Sequence, residues 1–155
     1  MPQNAPIIVL PRQEAEALVP PVSAACISIT NPRQAPAALA GWADVLHIEF
    51  HDIDRPYGHF VEMKAVHAKN VIAFAKKHEY SRLYVHCEFG VSRSVAIGQF
   101  LSRWLKKPYI GPGAPGNTWV TQMLMRQARR EGLIQLDWAL LRVATGAIKT
   151  ERGYP

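Results

Sequence analysis

A chain of 155 residues, 48% hydrophobic and 19% charged, has the size and composition of one globular domain able to bury its own core. Its formal net charge of +6 favours anionic partners, but the basic pairs Lys76-Lys77, Lys106-Lys107 and Arg129-Arg130 lie apart. They read as solvated helix ends, so nucleic acid is not an expected partner. Two cysteines form no disulfide framework, no charged-then-apolar leader opens the sequence, and every apolar run falls well short of the ~20 residues a membrane span needs. The expectation is a reduced, cytoplasmic protein with no membrane span.

In chain order, Ile7 to Leu10 is a short strand closed by Pro11, and Gln13 to Val19 has the composition of a brief helix ended by Pro20-Pro21. Ala24 to Thr30 is a second strand, stopped by the turn signal Asn31-Pro32. Cys26 lies inside it among apolar neighbours, as a buried structural thiol; the sharper alternative makes it a redox partner of Cys87. Val45 to Phe50 alternates as a third strand and runs into the polar loop His51-Asp52-Ile53-Asp54. Two aspartates just past a strand end are placed for proton chemistry in a cleft, or for capping and turn formation.

His59 to Lys77 is predicted as the clearest helix, with Phe60, Met63, His67, Val71, Phe74 and His78 along one face. Met63 reads as core filling and His67 as a satisfied, partly buried histidine. His47, His51 and His59 match no compact ligand pattern, so no metal is expected. Leu83 to Val85 is a buried strand, and the nearly apolar helix Ser94 to Leu105 should be central. After an irregular Gly- and Pro-rich connector, Asn117 looks like the N-cap of a helix reaching Arg130, and a last helix is expected from about Ile134 to Ala144. This order predicts an α/β fold: a single domain, 1-155, with its core at about 22-145 and a polar tail at 146-155. Its central sheet has four to five mostly parallel strands flanked by helices, with the site at the carboxyl edge.

The chemistry concentrates between the fourth strand and its helix, in His86-Cys87-Glu88-Phe89-Gly90-Val91-Ser92-Arg93-Ser94. A strand-to-helix turn points backbone N–H groups at whatever lies above it, and a helix N-terminus favours negative charge. Such a turn suits an oxyanion and lowers the pKa of a thiol held there. Cys87 is therefore the candidate nucleophile. Arg93 can fork two N–H bonds onto two phosphate oxygens, which lysine cannot do, and Gly90 allows close backbone approach. Ser94 offers a hydroxyl to the sulfur. His86 is read as orienting the loop rather than as a base, and Glu88, Phe89, Gly90, Val91 and Ser92 would wrap the phosphate.

His86-Cys87 through Arg93-Ser94 has the form H-C-x5-R-S, and it resembles the signature loop of the cysteine-dependent protein tyrosine phosphatase superfamily. The stretch Gly90-Val91-Ser92-Arg93-Ser94 looks most like its dual-specificity branch, as does Asn117 to Leu124; the resemblance covers roughly Val22 to Arg130. It implies a phosphomonoester hydrolase that works through a cysteinyl-phosphate, without cofactor or metal. The substrate would be phosphotyrosine, with phosphoserine and phosphothreonine, on a phosphorylated protein partner. It also implies a general-acid aspartate on the loop after the third strand, with Asp52 the first choice and Asp54 the second. The chain lacks the Trp-Pro-Asp motif and the insertions of the tyrosine-specific enzymes. With one acid and no lysine inside the loop, polyanionic headgroups are poor candidates. Two other classes stay open: a rhodanese-like protein, suggested by His86-Cys87-Glu88-Phe89, and a catalytically weak module that only binds phosphorylated partners.

Overall fold

The computed structural model describes residues 5 to 134, and the helix expected from about Ile134 to Ala144, past its first residue, and the tail at 146-155 lie outside the described residues. Five strands, β1 (Ile7–Pro11), β2 (Ala25–Thr30), β3 (Asp44–Glu49), β4 (Leu83–Cys87) and β5 (Tyr109–Ile110), form one sheet in the order β3-β2-β4-β1-β5. Every pairing is parallel. Four helices complete the described chain: α1 (Arg12–Ala17), α2 (Ala65–Lys77), α3 (Arg93–Leu105) and α4 (Thr118–Arg130). The α/β architecture expected from the sequence is the one observed.

Parallel strands need crossovers, and crossovers cover both sheet faces, so the central strands must be apolar nearly throughout. The strands β2 and β4 are buried at every position. Alternation then divides the core in two. Ile7, Val9, Ile27, Ile29, Leu83 and Val85 join the large cluster with Val71, Ile72, Val95, Ile97, Leu101 and Leu124 of α2, α3 and α4. On the opposite face Cys26 and Tyr84 pack with Ile8, Leu10, Leu18, Leu39 and Trp42. The strand β5 was not foreseen. Its two residues pair at the sheet edge with Ile7 and Ile8, too short a run to carry a pattern.

The second helix begins later than its stripe predicts, at Ala65 and not at His59. Residues 59-64 are drawn out of the helix because Val61 is tied across the preceding loop to His51. Its N–H donates to His51 Nδ1 at 2.8 Å and its carbonyl accepts from His51 N–H at 2.6 Å. Phe60 is consequently off the core face, half exposed, and packs on the rings of His51 and Tyr57. Met63 is fully buried. His67 Nδ1 accepts from the Lys64 N–H at 2.9 Å and the ring stacks on Phe50, the satisfied role expected of it.

One buried cation stitches the edge of the fold. Lys107, after the left-handed Lys106 that ends α3, donates from Nζ to the carbonyls of Glu79 at 2.8 Å and Ser81 at 2.6 Å. It thereby fixes the turn that leads into β4, the strand that carries the cysteine.

Candidate active site

The carboxyl ends of β4, β2 and β3 converge on one loop. Cys87 closes β4, residues 88-92 turn, and α3 starts at Arg93, so the last strand residue and the first helix residue sit at the two ends of a single N–H-lined arc. Gly90 is what lets the arc close. It has φ +69°, and a Cβ there would lie 2.6 Å from the Pro11 nitrogen and 2.8 Å from the Leu10 carbonyl carbon. The arc is thus moulded against the end of β1, and Arg12 N–H donates to the Glu88 carbonyl at 3.2 Å.

Cys87 is buried, and burial raises its thiol pKa. Hydrogen bonds from the Ser94 hydroxyl and from the backbone N–H groups of Ser94, Gly90 and Ser92 act in the other direction and prevail, which leaves the pKa below the ordinary value. Ser94 Oγ stands 3.0 Å from Cys87 Sγ. The contrast with Cys26 is instructive, because there burial acts alone and pushes the thiol up to about 12. Cys26 pairs with Tyr84, three residues before Cys87 and on the opposite sheet face. Strand rise and spacing separate the two Cα atoms by roughly 11 Å, against the ~7 Å limit for a disulfide. Cys26 is structural, and the redox pairing with Cys87 is ruled out in this fold.

Arg93 is buried, with its Nη1 donating to the Phe50 carbonyl at 2.6 Å and to Asn31 Oδ1 at 2.8 Å. Its Nε is buried and has no hydrogen-bond partner among the described residues. A buried guanidinium N–H left unpaired is costly, and an oxyanion over the loop would satisfy it. His86 is fully buried on the far face, where burial lowers its pKa and keeps the ring neutral. Nδ1 then donates to the Cys87 carbonyl at 3.3 Å while Nε2 accepts from Ser28 Oγ at 2.6 Å. Both ring nitrogens are thereby engaged by Ser28 and by the carbonyl of the loop's first peptide.

The two aspartates separate cleanly. Asp52 Oδ1 accepts from Ser92 Oγ at 2.7 Å and from Asn117 Nδ2 at 2.8 Å, which binds the loop after β3 to the rim of the arc. Asp54 faces solvent and pairs with its neighbour Arg55 at 3.2 Å. Asn117 does double duty, because its Oδ1 accepts from Val120 N–H as the N-cap of α4 while Nδ2 also reaches the Ile53 carbonyl. The arc and the acid loop border a cavity of about 570 Å³ whose lining includes Asp52, Arg55, Tyr57, Ser92, Asn117 and Thr118. Phe89 and Val91 expose their side chains on the crown of the arc, at 77% and 60%. Glu88 accepts from Gln34 Nε2 at 3.0 Å.

Asn31, Gln34 and the Phe50 carbonyl are participants that the sequence did not reveal. The only signal was the Asn-Pro turn after β2, which reads as punctuation. Among the described residues no group of three or more histidine, cysteine or acidic side chains could hold a metal ion, and no helix is long and apolar enough to cross a membrane.

No protein-family profile matches the chain, and no curated protein matches it. Solved structures do. Human DUSP28 aligns with a TM-score of 0.47 at 13% identity over 99% of this chain and 96% of that one. Tk-PTP in its active form gives 0.43 at 14% over 94% and 92%. OH1 from the Orf virus, a tyrosine phosphatase, gives 0.45 at 16% over 96% and 83%. At these identities the likeness is one of chain course alone.

Proposed function

We propose that this chain is a phosphomonoester hydrolase of the dual-specificity protein phosphatase kind, acting through a cysteinyl-phosphate. The observation that carries the reading is the arc itself: a thiol with a lowered pKa at one end and, at the other, a buried arginine whose Nε has no hydrogen-bond partner among the described residues, joined by a turn whose backbone N–H groups reach the sulfur.

The reaction follows from these groups. The Cys87 thiolate attacks phosphorus in line, the S–P bond forms, and the bond from phosphorus to the leaving oxygen breaks. Asp52 gives its proton to that oxygen. Both donors to Asp52 fall on Oδ1, which leaves Oδ2 as the proton-bearing atom. Arg93 and the arc N–H groups hold the transferring phosphoryl oxygens. Water then attacks phosphorus, Asp52 takes its proton, and the S–P bond breaks. The sulfur leaves as a thiolate that the Ser94 hydroxyl stabilises, at its 3.0 Å separation. No metal enters any step.

The acid at the rim favours catalysis over simple phosphate recognition, because a binding module has no use for a carboxylate beside its anion. The exposed crown at Phe89 and Val91 supports access by short as well as long phosphorylated side chains, hence phosphoserine and phosphothreonine besides phosphotyrosine on protein substrates. The chemistry suits a reducing, cytoplasmic setting, where a free thiolate survives.

Turnover of an aryl phosphate without added metal tests the proposal. Wild type should hydrolyse it and Cys87→Ser should not; equal rates in the two would end the reading. A phosphopeptide panel then defines the substrate range.

A further inference from the structure

The turn Asn31 to Gln34 after β2 touches both ends of the arc. Its first side chain accepts from Arg93 Nη1 at 2.8 Å, and its last donates to Glu88 Oε2 at 3.0 Å. It is closed on itself twice: Gln34 N–H donates to the Asn31 carbonyl, and Gln34 Oε1 accepts from Asn31 N–H, each at 3.0 Å. Arg33 at its tip has φ +68°, a conformation that costs a non-glycine residue and persists only where the surroundings impose it. The sheet sets where this turn sits. Thr30 pairs with Glu49, so the next residues, Asn31 and Phe50, emerge side by side as the two acceptors of one guanidinium nitrogen.

We infer that Asn31 is a positioning residue for phosphate binding: with the Phe50 carbonyl it pins Nη1 of Arg93, so that the Nε–Nη2 edge is presented to the oxyanion, and Gln34 locks the same turn to the start of the arc. Guanidinium can only donate, so the Asn31 oxygen is the atom facing it. With one of its two tethers cut, Arg93 keeps its charge but loses its fixed plane, and bidentate recognition depends on that plane. This inference rests on the phosphatase reading for the identity of the anion.

The test is binding of inorganic phosphate by calorimetry, alongside aryl phosphate turnover, in wild type, Asn31→Ala and Asn31→Gln. Asn31→Ala should weaken phosphate binding and raise KM by about tenfold, the worth of one hydrogen bond to a charged group. The pH dependence of Cys87 alkylation by iodoacetamide should not move, since the thiol's hydrogen-bond partners are Ser94, Gly90 and Ser92. A general structural lesion would shift both. Asn31→Gln keeps a neutral amide acceptor without adding charge beside the anion and should bind phosphate within about threefold of wild type; it decides the matter if Asn31→Ala does not fold. Phosphate binding by Asn31→Ala equal to wild type, or a tenfold loss in Asn31→Gln, overturns the inference alone. A wild type that neither binds phosphate nor hydrolyses the aryl phosphate overturns the phosphatase reading and the inference together.

Discussion

Ser94→Ala removes one oxygen atom from the molecule and should separate the two chemical steps. The hydroxyl is buried, 3.0 Å from the sulfur, and is the largest of the influences that lower the Cys87 pKa against its burial. A hydrogen bond to a charged group contributes about 1.5–3 kcal/mol, so its loss should cut the thiolate population roughly ten- to hundredfold wherever the thiol is partly ionised. The direction follows from the balance at the sulfur, where burial stays and the strongest opposing bond goes. Iodoacetamide alkylation measured across pH reads this directly. Cys26 does not interfere, because it is fully buried with a thiol pushed up to about 12. The alkylation profile should move to higher pH, and in rapid-quench experiments phosphate release should slow more than phosphoenzyme formation, because the sulfur is the leaving group of the second step. An alkylation profile identical to wild type would show that the backbone N–H groups alone hold the thiolate.

Asp52→Asn should lower kcat at least a hundredfold for a poor leaving group and far less for an activated aryl phosphate, with Asp54→Asn close to wild type on both; the reverse ranking would move the acid to Asp54. Gly90→Ala must abandon φ +69° or push its Cβ into Leu10 and Pro11, so urea denaturation should register a loss of about 2 kcal/mol or more, and wild-type stability would contradict the tight contact at the end of β1. Asp44 is held at about 2 by hydrogen bonds from Lys77 and His78. A depressed carboxylate stabilises the fold above its unfolded pKa of about 3.9, and that contribution is lost as pH falls towards about 2. The stability difference between wild type and Asp44→Asn should therefore vanish across that window, and a difference that persists below it would assign the effect to packing.

Residues whose role is local announced themselves. Cys87, Gly90, Arg93 and Ser94 lie within eight consecutive positions, and a strand, a turn and a helix suffice to bring them together. Asn117 was legible as a cap because capping is a near-neighbour interaction, and the loop of Asp52 and Asp54 as a candidate for proton chemistry because two aspartates follow a strand end. The partners that make the site rigid were not. Asn31 meets Arg93 across 62 residues through the strand order β3-β2-β4, and Asn117 meets Asp52 across 65 because α4 packs on α2 and α3. Helical periodicity also misled at Phe60, because the pairing of His51 with Val61 offered that segment hydrogen bonds a helix would have forfeited.

The moulding of the arc against Leu10 and Pro11 has a consequence for how reactivity is acquired during folding. The cysteine's strand lies between β2 and β1, whose residues are about sixty to eighty positions away in the chain, and the arc closes on the end of β1. Pairings of that separation carry a large loop-closure entropy, which must be met before their contacts form. In a nascent or partly unfolded chain Cys87 therefore keeps the ordinary thiol pKa, and the lowered one is acquired with the completed sheet. The pH dependence of Cys87 alkylation thus reports completion of the sheet as well as the hydrogen bonds of the site.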